Sequence, residues 1–257
     1  QFVAAAIIVW YLCRFKTAPL SLSHFRPKLS VTGFVAKLGT ANFFNQIAMM
    51  IVQIVMNKSL TYYGSQSVYG ESIPLACAGI ITKVGMVFFS ICIGLSQGMQ
   101  PIVSFNYGAG NYKKVKQAYR LAAGIGTIIS VIAFFAFQIF PRQLIGIFGS
   151  SQNEAYYTFA VRYFRIYMFF TFLNAIQPIS SNFFTAIGKP GKGIFLSLTR
   201  QIIFLLPLIV IFPLFLGVDG IMYAGPIADF IAAMVSMILI YKEFGKINKL
   251  EEATCES

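Results

Sequence analysis

Apolar and polar positions alternate along this chain in blocks, with long apolar runs separated by short polar segments. Six runs approach or exceed the roughly 20 residues needed to cross a bilayer. They are about Leu38–Met56, Ile73–Leu95, Ala118–Phe140, Tyr156–Ile187, Ile194–Leu216 and Ile221–Tyr241. Backbone groups in lipid must be satisfied within the segment, so each run is expected to be a helix. The short alternating segments of a membrane β-barrel are absent from the sequence. The fourth run is longer than a straight span requires, which calls for tilt or for extension past the interface. An apolar stretch, Gln1–Leu12, is too short to cross. No basic segment precedes it and no small-residue cleavage site follows, so it reads as the end of a helix rather than a signal peptide. The expected architecture is an all-α, polytopic membrane helix bundle. Residues 1–12 end a preceding helix, 13–29 form a polar connector between two lobes, 30–242 form a six-helix lobe, and 243–257 form a tail.

Composition supports this. Of 257 residues, 57% are hydrophobic and 11% charged, whereas a soluble domain is about a quarter charged. The net charge of +12 would suggest a nucleic-acid partner in a soluble protein. Here the basic residues sit between apolar runs, so no nucleic-acid partner is expected. Assigning them to alternate sides places fourteen (Arg14 to Lys37, Lys113 to Arg120, Lys189, Lys192, Lys242 to Lys249) against two, Lys58 and Arg142. The rich side is cytoplasmic by the positive-inside bias, and both ends of the six-helix unit face it. The four cysteines and the single histidine, His24, show no metal spacing. Segment 141–153 is mildly amphipathic and suits the interface, with Ser151 or Asn153 able to cap the next helix.

Polar side chains inside a membrane are costly and face the bundle interior or a wet cavity. On the first span, Asn42, Gln46, Met49, Gln53 and Asn57 recur at steps of three and four, on one helical face. This face either packs by interhelical hydrogen bonds or, with Met86 of the second span, lines a substrate path. Met beside amides suits varied apolar ligands. On the fourth span, Thr171, Asn174, Gln177 and Ser181 form a second face, of which Asn174 and Gln177 are expected to line the same substrate cavity, and Pro178 predicts a kink. Lys83, Arg200 and Asp229 lie well inside the second, fifth and sixth spans. Asp229 is expected to pair with Lys83 or Arg200, as a structural ion pair or an ion-linked switch. Arg162 and Arg165 are expected to snorkel to the outer interface. No paired carboxylates, His–Cys–Asp cluster or phosphate loop appears, so an enzyme is not expected.

The stretch Gly94-Leu-Ser-Gln-Gly-Met-Gln-Pro-Ile-Val-Ser-Phe-Asn-Tyr-Gly-Ala-Gly110 resembles the hallmark of the multidrug and toxic compound extrusion (MATE) family, MepA/DinF-like branch. Further matches follow in order: Asn57–Gly64, Ala186–Pro190, Arg200–Pro207 and Gly225–Asp229. The resemblance implies that residues from about Ser30 onward are the C-terminal six-helix lobe of a two-lobed transporter, with the N-terminal lobe as its partner. It implies a secondary antiporter in the cell membrane that exports amphipathic or cationic small molecules for Na⁺ or H⁺ by alternating access, with no other cofactor. Relatives of another branch carry cation-coupling acids that align near Met49 and at Asn174, neither of them acidic here. Coupling then resides in the other lobe or involves Asp229. A flippase for a lipid-linked oligosaccharide is the alternative within the superfamily, and a non-transporting receptor or scaffold the alternative outside it.

Overall fold

The computed structural model describes residues 2–13, 29–148 and 154–255. The expected connector, 13–29, lies outside them except for its two ends, as do the candidate caps Ser151 and Asn153. Among the described residues all regular structure is helical. The helices are α1 (Phe2–Cys13), α2 (Leu29–Ser65), α3 (Ser72–Gly108), α4 (Tyr112–Ile139), α5 (Pro141–Phe148), α6 (Glu154–Tyr167), α7 (Ile176–Ala186), α8 (Pro190–Leu198), α9 (Leu206–Leu216) and α10 (Val218–Cys255). A 3₁₀ turn, Thr171–Leu173, precedes α7, and a π-helical segment, Thr199–Leu205, joins α8 to α9. The chain forms two units, Gln1–Phe44 and Asn45–Ser257. The first holds α1 and the start of α2; the second holds everything that follows.

By length and composition, four segments among the described residues can cross a membrane: Ser72–Gly108, Tyr112–Ile139, Pro190–Leu216 and Val218–Glu252. The first expected span falls within α2. The fourth is not one helix but α6 and α7 with the 3₁₀ turn between them. The break has a local cause. Pro178 has no N–H for the carbonyl of Asn174 and its ring crowds that carbonyl. The chain yields one turn earlier, and Pro178 becomes the third residue of a new helix, where no donor is required. Pro207 acts in the same way on the fifth span. It cannot donate to the carbonyl of Ile203, and the turn before it widens into the π segment. Both distortions place a polar residue, Asn174 or Arg200, beside an irregular turn.

The core of the second unit is aromatic. Phe159, Tyr163 and Phe164 of α6, Phe183 and Phe184 of α7, and Ile221 and Met222 of α10 are all fully buried. Tyr119 of α4 stands edge-on to Phe183 at 4.9 Å and to Phe244 at 5.4 Å between ring centres. Lipid is as apolar as these side chains, so close packing and hydrogen bonds rather than water exclusion hold the helices together. Helix α7 is the hub of those bonds. Ser96 of α3 donates to the Pro178 carbonyl at 3.0 Å, and Asn182 donates to Ser96 at 2.7 Å. Ser180 meets Tyr119 at 2.9 Å, and Ser181 donates to the Gly193 carbonyl of α8 at 2.8 Å. Glycine makes the last contact possible: a Cβ on Gly193 would lie 2.6 Å from the Ser181 carbonyl oxygen.

The expected tail is helical as far as Cys255, a continuation of α10 past the apolar stretch that ends at Tyr241. Glu243, fully buried, accepts from Lys189 and from Lys192, the latter at 2.5 Å. Burial pushes the Glu243 carboxyl up, but the hydrogen bonds and charges of Lys189 and Lys192 outweigh it and hold the group below the usual carboxylate range. Further along, Glu251 accepts from Lys116 at 2.6 Å. The turn that carries Lys189 reverses at Gly188, whose φ of +74° suits glycine.

Candidate functional site

Three residues singled out by the sequence meet inside the second unit. Asp229 of α10 is buried at 5% exposure. Arg200, on the π segment, donates through Nε to Asp229 Oδ1 at 2.6 Å. Asn174, on the turn before α7, donates through Nδ2 to Asp229 Oδ2 at 2.9 Å. Each carboxylate oxygen therefore has a donor of its own. The Arg200 guanidinium lies over the Phe89 ring of α3, 5.4 Å from its centre, a second favourable contact for a desolvated cation. Tyr167, at the end of α6, packs beside this cluster against α10. Its ring packs against Gly225, one turn before Asp229, where a Cβ would lie 2.4 Å from it. Two segments thus donate to one carboxylate, and α3 and α6 pack beside them through Phe89 and Tyr167. The arrangement is electrically balanced while Asp229 is ionised. Removal of the acid would leave Arg200, whose side chain is only 15% exposed, without its counter-charge, which is strongly unfavourable.

The choice left open between Lys83 and Arg200 falls to Arg200; Lys83 is exposed on α3. The second polar face is engaged throughout. Thr171 donates to the Met168 carbonyl at 2.7 Å, and Gln177 donates to the Leu196 carbonyl at 3.3 Å. Asn174 is thereby part of the charge cluster, and Gln177 ties α7 to α8. The first face differs. Gln46 and Met49 are exposed, as is Met86 on α3. Gln53 is half-buried and donates to Asn57 of its own helix at 2.9 Å. The side chain of Asn42 lies outside what the structure describes. Arg162 pairs with Asp219 at 3.0 Å, both partly exposed. The sequence reading missed two participants, Tyr167 and Phe89. Gly225 was the available signal for Tyr167, since a glycine inside a helix often marks close approach of another group.

A family model, MatE, matches residues 41–211. The chain belongs to the MATE family. Among curated members, it is 24% identical over 243 residues to the multidrug export protein MepA of Staphylococcus aureus (strain bovine RF122 / ET3-1), covering 93% of this chain and 51% of that protein. It is 25% identical over 236 residues to MepA of Staphylococcus saprophyticus, covering 91% and 49%. The chain spans about half the length of the curated relatives it matches. Its fold superposes on an outward-facing multidrug resistance MATE family transporter of the MOP superfamily with TM-score 0.81 at 20% identity, covering 97% of this chain and 54% of that one. An inward-facing MATE structure matches with TM-score 0.77 at 20% identity, covering 96% and 56%. The MATE match takes in the Gly94–Gly110 hallmark, Asn174 and Arg200, while Asp229 lies beyond its end.

Proposed function

We propose that this chain forms the C-terminal lobe of a secondary active antiporter. It exports drugs or other toxic amphipathic, often cationic, compounds from the cell by alternating access, in exchange for Na⁺ or H⁺. The observation that carries the reading is membership of the MATE family together with relatives named as multidrug export proteins. In this reading residues 30–242 are the lobe and 13–29 connect it to the N-terminal lobe. The exposed Gln46–Met49 face of α2 and Met86 of α3 supply one wall of a cavity completed by the N-terminal lobe. The wall is apolar with a few amides, suited to loosely held substrates of varied shape. The fourteen-to-two division of basic residues argues for cytoplasmic ends of the lobe. A flippase for a lipid-linked pyrophosphate is less well served, because the one deep arginine is neutralised by Asp229.

Asp229 is the candidate for coupling within this lobe. Proton or Na⁺ binding to its carboxylate would compete with Arg200 and loosen the π segment from α10. The test is dye efflux from proteoliposomes containing the protein at its full natural length, under an imposed pH or Na⁺ gradient. Gradient-driven efflux, with a changed substrate profile in Gln46→Leu, is expected. Efflux indifferent to both gradients, or a profile unchanged for every substrate in that variant, would sink the reading.

A further inference from the structure

Helices α3 and α4 leave a groove of about 600 Å³ between them on the surface of the second unit. Its floor and walls are apolar: Gly94, Gly98 and Ile102 on α3, and Leu121, Ala122 and Ile125 on α4. Along α3 it runs from Gly94 to Asn106, about 18 Å at 1.5 Å per residue. That matches the roughly 15 Å depth of one leaflet's hydrocarbon. The two glycines hold it open. A Cβ on Gly94 or Gly98 would meet nothing within 4 Å, so their lack of side chains is not required by helix packing. The groove changes character at one end, where Asn106, Gln117 and Lys114 form the mouth. Lys114 is exposed, and so are Lys113 and Arg120 on the adjoining face of α4. Lys116 is already committed to Glu251. Among the described residues no acid is paired with the other three, so the mouth carries net positive charge.

We propose that this groove holds one acyl chain of an anionic phospholipid, with its phosphate on Lys114 and hydrogen bonds from Gln117 and Asn106. The apolar length suits a hydrocarbon tail and not a soluble anion. The cationic mouth, with its amides, selects a negatively charged headgroup over a zwitterionic one. The mouth lies on the basic side of the lobe, so the lipid belongs to the cytoplasmic leaflet if the proposed orientation holds. Because the described residues that line the groove all belong to α3 and α4, the lipid would bridge the hallmark helix and its neighbour and tune their relative movement.

The test is photo-cross-linking in nanodiscs with the protein at its full natural length. Phosphatidylglycerol carrying a diazirine in its acyl chain is compared with the phosphatidylcholine equivalent. Peptides spanning 94–106 and 114–125 should be labelled at least about five-fold more by the anionic lipid, the effect of roughly one lysine at a membrane surface. Lys114→Gln should remove most of that preference. Gly98→Leu should fill the groove and abolish labelling of both peptides by either lipid, while Gly98→Ala retains it. Equal labelling by the two lipids, no labelling of these helices because the rest of the protein covers them, or a preference unchanged in Lys114→Gln would each overturn the proposal. The lysine variant keeps the test decisive should Gly98→Leu fail to fold.

Discussion

Two polar regions inside the apolar spans, nearly the same to a reader of the sequence, have opposite fates in the fold. Gln46, Met49 and Gln53 on α2 and Asn174, Gln177 and Ser181 near α7 both step by three and four residues. The first set leaves Gln46 and Met49 exposed, and the amide of Gln53 turns along its own helix. The second is consumed by partners on α8 and α10. The difference lies in what each face meets. Helix α7 sits at the centre of the second unit, with donors and acceptors on three sides. Among the described residues, no hydrogen bond joins the α2 face to another helix of that unit. A polar stripe that is satisfied internally specifies packing, and one left open is available for a ligand or for another part of the protein.

The sharpest way to break this comparison is to remove the acid at the centre of the closed region. Asp229→Leu should destabilise the protein by about 3–5 kcal/mol, because Arg200 is left largely buried without a counter-charge. The double variant Asp229→Leu/Arg200→Met should recover most of that loss. Thermal unfolding in detergent of the full-length protein measures both. If the single and double variants lose the same stability, the pair is not what balances the site. A smaller effect is expected at Gly225. Gly225→Val would force Tyr167 away and cost about 1–3 kcal/mol, the usual range for overpacking. Tyr167→Ala in the same chain should relieve part of the strain.

Much of this was legible in the residues, and the failures have physical causes. Hydropathy located four segments that form helices long and apolar enough to cross among the described residues, because lipid tolerates little else. The hallmark motifs placed the chain in its family, and the depth of Asp229 and Arg200 in apolar runs announced a pair. Periodicity could not say that the fourth span is two helices. Pro178 was read as a kink in a continuous helix, whereas the chain breaks ahead of it so that the proline starts a new one. Nor could it distinguish an engaged amide from an open one, since that depends on the neighbours a helix acquires in three dimensions. Pro207 carried a signal that passed unused: the π segment before it turns Arg200 toward α10.

Glu243 offers a control beyond the apolar stretch of α10 that ends at Tyr241, where one buried acid holds two cations, Lys189 and Lys192. Its pKa is lowered on folding, below the ordinary Glu value of about 4.3. The stabilisation is therefore complete above that value and is lost as pH falls through the lowered one. The melting temperature should be flat from neutral pH to about pH 5 and fall below about pH 4. Glu243→Gln should lower it at neutral pH and make its acid dependence shallower. An acid limb unchanged in Glu243→Gln would show that other carboxylates govern it.

The smallest effect on stability is expected where the comparison matters most for function. Gln46 is exposed and, among the described residues, has no hydrogen bond to the rest of the second unit, so Gln46→Leu should shift stability by no more than about 0.5 kcal/mol. Asn174→Leu removes a donor from a buried carboxylate and should cost about 1 kcal/mol or more. If the α2 face is a cavity wall, the order reverses in transport. Gln46→Leu should change which substrates are exported while leaving the response to the ion gradient intact. Asn174→Leu should change the response to the gradient for all substrates alike, because it acts through Asp229. Efflux of several dyes by both variants under matched gradients separates the two. A substrate profile altered only by Asn174→Leu would assign the cavity to the region that looks closed and remove the distinction drawn between the two faces.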